Sequence, residues 1–176
     1  MKKIVAIPGS LRAGSSNHAI LKYLESITPA GIEFIFYEGI GTLPHFDPGL
    51  DGVALPEVVA AFRELLATAD GVIICTPEYA FGVPGSLKNA LDWTVGSGSF
   101  EGKPLALITA STGGQYAHGA LQLILKNALG AQLSDDTSLL ISFIRTKLDS
   151  TAAITDAATK EKLTGCFETL TGLVGA

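Results

Sequence analysis

Apolar residues along this chain follow two alternating rhythms. Unbroken runs at Ile4-Val5-Ala6-Ile7, Gly71-Val72-Ile73-Ile74-Cys75 and 104–110 read as strands covered on both faces, as in a parallel sheet. Between them apolar residues recur every three or four positions, the spacing of one buried helix face. Ile20, Leu21, Leu24 and Ile27 mark one such helix, and Val58, Phe62, Leu65, Leu66 and Ala69 a second. Leu87, Leu91 and Val95 mark a third, which ends at Gly96 to Gly98. Residues 32–37, rich in β-branched and aromatic side chains, form the second strand. A helix over 118–129 precedes a fifth strand within 131–144, where Asp135-Asp136 blurs the register. The last helix, 156–174, buries Leu163, Phe167, Leu170 and Val174.

Five strands alternating with helices predict an α/β protein: a doubly wound, five-stranded parallel sheet in a three-layer αβα sandwich. With no repeats, linkers or low-complexity tracts, residues 1–176 read as one domain. The connection over 38–55, with Pro44-His45-Phe46-Asp47-Pro48, is long enough to carry function or meet a partner. Pro56-Glu57 then opens a helix well, with proline pre-set for the first turn and an acid beside the positive end.

Three loops follow strands one, three and four. In a doubly wound sheet all three emerge at the carboxyl edge, where such folds bind ligands. The first is Pro8-Gly9-Ser10-Leu11-Arg12-Ala13-Gly14-Ser15-Ser16-Asn17. A strand feeding a Gly/Ser-rich turn into a helix start presents unpaired backbone N–H groups to an anion. Ser10, Ser15, Ser16 and Asn17 add side-chain donors, and Arg12 adds a permanent cation that grips phosphate with two bonds. Gly9 and Gly14 have the spacing of a nucleotide-triphosphate loop, but Ser15 stands where that loop needs lysine. No Gly-x-Gly-x-x-Gly occurs either. A hydroxyl-rich cradle with one arginine suits a single terminal phosphomonoester, such as that of a flavin mononucleotide. The plainer alternative is an ordinary strand-to-helix turn.

The second loop, Thr76-Pro77-Glu78-Tyr79-Ala80-Phe81, offers backbone amides and aromatic surface to a flat heteroaromatic, or is simply a rigid turn. The third, Ser111-Thr112-Gly113-Gly114, flanks the same ring from the other side or is a flexible glycine turn.

Composition narrows the class. At 47 % hydrophobic and 16 % charged residues the chain is not disordered, and its apolar runs are too short to span a membrane. Net charge is −5 and the basic residues are scattered, which argues against a nucleic-acid surface. Lys2-Lys3 leads directly into the first strand without a secretory pattern, so a cytoplasmic protein is expected. Cys75 and Cys166 lack metal-type spacing and read as buried free thiols, so no metal site is expected.

Taken together, Gly9-Ser10-Leu11-Arg12 with Ser15, Ser16 and Asn17, then Thr76-Pro77-Glu78-Tyr79, then Val83-Pro84-Gly85-Ser86-Leu87-Lys88-Asn89-Ala90-Leu91-Asp92-Trp93, resemble the NADPH-dependent FMN reductase family. This flavodoxin-like group includes chromate, quinone and azo-dye reductases. The resemblance covers nearly the whole chain, and the ordered run from Pro77 to Trp93 is its most specific part. It implies a flavodoxin-like fold, a tightly held FMN, and a homodimer or homotetramer with flavin sites near subunit contacts. By motif position Ser10, Arg12, Ser15, Ser16 and Asn17 hold the phosphate. Pro77, Glu78, Tyr79, Ala80 and Phe81 line the isoalloxazine, with Ser111, Gly113 and Gly114 opposite, and Glu78 is a candidate for the dimer contact instead. Two departures stand out: Ala80 replaces the family's usual Asn, and the glycines after Ser111 are placed differently.

The implied reaction is ping-pong transfer of hydride from NADPH or NADH, through the flavin, to a small-molecule acceptor: a quinone, free flavin, azo compound or chromate. It requires no side-chain acid or base at the hydride step, so no catalytic residue is assigned. His45 and His118 are candidate proton donors to a reduced quinone, though a loop histidine and a helix-start histidine need no such role. The alternatives are an FMN-binding electron carrier and a redox-responsive binding protein with little turnover. Arg12 and the run from Pro77 to Trp93 favour the reductase.

Overall fold

The computed structural model describes residues 1–52 and 54–175; Val53, inside the long connection, and Ala176 lie outside them. Strands β1 (Lys2–Pro8), β2 (Ile32–Phe36), β3 (Gly71–Thr76), β4 (Leu105–Ala110) and β5 (Ser138–Ile141) form one parallel sheet in the order β2-β1-β3-β4-β5. The order reverses between β1 and β3, so a crevice opens beyond their carboxyl ends.

The continuous apolar runs feed both sides of the sheet, because successive side chains point to opposite faces. Val5, Ile7, Val72, Ile74, Leu105 and Leu107 pack under helices α2 (Glu57–Ala67), α3 (Gly85–Asp92) and α4 (Gln115–Leu123). Ile4, Ala6, Ile73, Cys75, Ala106 and Ile108 pack under α1 (Ser16–Ser26) and α5 (Ala157–Gly175). The predicted three-layer αβα, flavodoxin-like arrangement is therefore present, and β3 and β4 are buried at every position.

Local expectations shift in instructive ways. Helix α2 turns Val59 rather than Val58 inward, alongside Phe62 and Leu66, and leaves Val58 exposed. Both valines sit at helical spacing from Phe62, so periodicity alone did not separate them. Val95 is also exposed, because α3 stops at Asp92 and Val95 opens a short 3₁₀ turn. Helix α4 begins at Gln115 and continues through a π-helical turn, Ile124–Ala128, closed by Leu129 N–H to the Ile124 carbonyl at 3.0 Å.

The long connection is strapped onto α3. The Pro44 carbonyl accepts from Trp93 Nε1 at 2.8 Å and Asn89 Nδ2 at 2.9 Å, and Phe46 packs edge-on against Trp93. Asn89 Oδ1 accepts in turn from the Phe46 N–H at 2.7 Å. Asp51 pairs with Arg63 at 2.8 Å, and Arg63 Nε donates to the Trp93 carbonyl at 2.6 Å. Asn89 and Trp93, near the end of the long sequence motif, thus serve the fold.

Candidate functional site

The loop after β1 is held down by geometry before any ligand is considered. Gly9 N–H donates to the Cys75 carbonyl at 2.8 Å, and a Cβ on Gly9 would lie 2.3 Å from Thr76 Oγ1. Only glycine lets the loop lie that close to β3. Gly14 at φ +64° turns the chain into α1, where Ser15 caps the helix by accepting from the His18 N–H at 3.2 Å. Asn17 is buried, and its Oδ1 accepts from the Cys75 thiol at 3.4 Å, which ties the first turn of α1 to the end of β3. Burial pushes the Cys75 thiol well above its ordinary pKa and the Cys166 thiol up to about 12, so both are unreactive neutral groups.

The second loop meets the first directly. The Tyr79 hydroxyl lies 3.1 Å from Ser10 Oγ. Beyond it, Tyr79 and Gly82 exchange both backbone hydrogen bonds, at 3.1 and 2.9 Å, around Ala80 (φ 48°) and Phe81 (φ 59°). That two-residue turn requires positive φ at both centres, which asparagine and glycine accept more readily than alanine or phenylalanine.

The third loop is joined to the second by Glu78. Its carboxylate accepts from the backbone N–H groups of Tyr116 at 2.8 Å and Ala117 at 2.9 Å, in the first turn of α4. Gly114 at that helix's cap position has no side chain to offer, so an acid from the neighbouring loop neutralises the positive helix end.

A cavity of about 190 Å³ results, lined by Ser10, Arg12, Ser15, Ser16 and Asn17, by Pro77, Glu78 and Tyr79, and by Ala110, Ser111, Thr112, Ile144 and Arg145. Nine of the predicted residues line it together. Ala80, Phe81, Gly113 and Gly114 do not: the first two form the tip of the hairpin, and Gly114 turns the chain into α4. Thr112, from the third predicted loop, lines it as well, whereas Ala110, Ile144 and Arg145 were missed. Arg145 follows β5, where Asp135-Asp136 hid the register and no glycine or serine cluster marks a loop.

The donor set is suited to a phosphomonoester: three serine hydroxyls, the Asn17 amide, the Arg12 guanidinium and the N-terminal N–H groups of α1. Arg12 forms no ion pair among the described residues, and the one acid in the wall, Glu78, is already engaged by α4. The two candidate histidines stand elsewhere. His118 Nδ1 lies 2.9 Å from Thr109 Oγ1 and Nε2 lies 3.1 Å from Ser138 Oγ, so both ring nitrogens are engaged with the sheet. His45 belongs to the connection strapped on α3 and does not line the cavity. Among the described residues there is no His/Cys/Asp/Glu cluster arranged for a metal, and no helix long and apolar enough to cross a membrane.

A parallel sheet of order 2-1-3-4-5 with a phosphate-type cradle at its reversal point defines a flavodoxin-like nucleotide-binding protein. The chain belongs to the NADPH-dependent FMN reductase family, whose model matches residues 2–145. It is 35 % identical over 170 residues to a quinone reductase of Escherichia coli K12, covering 93 % of this chain and 90 % of that one. It is 43 % identical over 114 residues to a 2-hydroxy-1,4-benzoquinone reductase of Burkholderia sp, covering 63 % of this chain and 61 % of that one. In structure it is similar to FerB, a flavoenzyme NAD(P)H:(acceptor) oxidoreductase of Paracoccus denitrificans. That match has a TM-score of 0.85 at 29 % identity, over 99 % of this chain and 98 % of that one.

Proposed function

We propose that this protein is an FMN-dependent NAD(P)H oxidoreductase whose acceptors are quinones. The observation that carries the reading is the meeting of the arginine loop and the Pro-Glu-Tyr loop in one donor-rich cavity, with the Ser10 and Tyr79 hydroxyls 3.1 Å apart. Ser10, Arg12, Ser15, Ser16 and Asn17 hold the phosphate of FMN in this reading. Pro77, Glu78 and Tyr79 on one side and Ser111 and Thr112 on the other position the remainder. When bound, FMN supplies hydride acceptance and donation at its N5. The protein's own part is to bind, orient and screen: backbone amides fix the cofactor's polar edge, and Tyr79 limits water. No lining side chain is required as a general acid or base.

The quinone acceptor class rests on the names of the Escherichia coli and Burkholderia relatives. A homodimer or homotetramer belongs to the same reading. It is supported by exposed aromatic surface beside the cavity, where Phe81 is 78 % exposed and packs edge-on against Tyr116, itself 55 % exposed. Two free buried thiols are in keeping with a reducing, cytoplasmic setting.

The test is the visible spectrum of the purified protein, followed by anaerobic addition of NADPH or NADH and then a benzoquinone. A yellow protein that bleaches with the nicotinamide, regains colour with the quinone and turns over in steady state is expected. A colourless protein that takes up no FMN would overturn the reading. Binding without turnover would replace it with an electron carrier.

A further inference from the structure

The chain has three arginines, Arg12, Arg63 and Arg145. Arg63 pairs with Asp51; the other two line the same cavity, and neither forms an ion pair among the described residues. In a chain of net charge −5, two unpaired guanidiniums in one small cavity are out of proportion to the rest of the surface. The only acid in that wall, Glu78, is held by the N–H groups of Tyr116 and Ala117.

Arg145 is also carried to the cavity by a segment whose backbone is fixed with unusual care. Ser111 N–H donates to the Ile141 carbonyl at 3.1 Å, Phe143 N–H to the Thr112 carbonyl at 3.1 Å, and Ile144 N–H to the Ser111 carbonyl at 3.1 Å. Ser142 Oγ adds a bond to the Gly113 carbonyl at 3.2 Å. These bonds weld the turn after β5 to the loop after β4. Phe143 is forced to φ 54°, a left-handed conformation that a bulky aromatic adopts only when its surroundings demand it. Its ring gains little there, being 63 % exposed. What the turn achieves is to bury Ile144 as an anchor and release the next side chain, Arg145, into the cavity.

The segments that carry the two arginines lead into helices on one face of the sheet. Helices α1 and α5 lie side by side on one face, joined by Tyr23 and Thr164 hydroxyls 2.9 Å apart. The turn that carries Arg145 leads toward α5, and the phosphate cradle is the start of α1. Both arginines therefore approach the same cavity from neighbouring elements.

Resting on the FMN reading above, we propose that Arg145 is a second guanidinium for the phosphomonoester of FMN, joining Arg12 in the same cavity. The two cations then match the near-dianion of a terminal phosphate, which a single arginine leaves partly uncompensated.

The experiment is fluorescence titration of apoprotein with FMN and with riboflavin, which lacks the phosphate, for wild type, Arg145→Gln and Arg145→Lys. Arg145→Gln is expected to raise the Kd for FMN about tenfold to a hundredfold, as for loss of a charge-assisted hydrogen bond, and to leave riboflavin binding unchanged. Arg145→Lys recovers part of the loss, and added salt weakens FMN binding less in Arg145→Gln than in wild type. Because Arg145 is exposed, the thermal midpoint of apoprotein should not move. Unchanged FMN affinity in Arg145→Gln overturns the proposal, as does an equal loss for FMN and riboflavin. A wild-type protein that binds FMN no better than riboflavin removes the phosphate cradle itself, and the proposal falls with it.

Discussion

Glu78 and Tyr116 stand 38 positions apart, yet the carboxylate of the first accepts the backbone N–H of the second at 2.8 Å. The loop after β3 thereby supplies the cap that the glycine-led start of α4 lacks, and its carboxylate ties the two loops together. Replacing Glu78 with alanine should cost about 1–2 kcal/mol of stability, the scale of a lost cap plus its charge at the helix end. Glu78→Gln, which keeps one acceptor, should cost less. Urea unfolding of the two variants checks the order, and FMN retention should fall with Glu78→Ala because two walls of the cavity loosen together.

The hairpin tip is the place where this chain carries strain it could shed. Ala80 and Phe81 both hold positive φ, a conformation costing roughly 1 kcal/mol for a residue with a Cβ. Asparagine tolerates it, so Ala80→Asn should raise the melting temperature by about 2–4 °C. The family's usual asparagine at this position thus has a backbone reason beyond any contact with the flavin. A melting temperature unchanged or lowered by differential scanning fluorimetry would refute that account.

Gly9 has no room for a methyl group. A Cβ there meets both Oγ1 and Cβ of buried Thr76, at 2.3 and 2.5 Å. Gly9→Ala should therefore destabilise by about 1–3 kcal/mol through overpacking and lift the arginine loop off β3. Thr76→Ala should not rescue it, since the offending Cβ stays, whereas Thr76→Gly should relieve the clash. Denaturant midpoints of the single and double variants give the coupling directly.

His118 sets a pH dependence of stability. Partial burial lowers its pKa below the ordinary 6.5, so the folded state favours the neutral ring. Its contribution is whole above pH 6.5 and is lost as the pH falls from there through the lowered folded value. His118→Gln should flatten that part of the profile, read as urea midpoints from pH 7.5 down to about 5. Carboxylates held low by hydrogen bonds, such as Asp51 with Arg63 and Asp70 with the Lys3 N–H, lose their contributions only at more acid pH.

The fold was legible from pattern because unbroken apolar runs and helical stripes are short-range signals. The arginine loop and the Pro-Glu-Tyr loop were legible for the same reason: glycine, proline and clustered serines mark them locally. The site's far wall was not. Phe143 takes a left-handed turn that no glycine or asparagine announces, and the strand before it is only Ser138–Ile141. Helix α4 starts three residues before the expected His118 because its cap comes from Glu78, out of reach of any local window. The choice of Val59 over Val58 was likewise settled by what α2 packs against.

By itself, then, the order of residues determined the alternation of strands and helices, the edge at which the loops gather and the kind of anion they suit. These depend on backbone conformation and side-chain spacing within a few turns of chain. Only the tertiary structure decided which side chains share the cavity, that Glu78 is occupied by a helix end, and that Arg145 joins Arg12. Those facts arise from contacts between segments far apart in the chain, where hydrogen bonds and packing between neighbouring loops outweigh local preference.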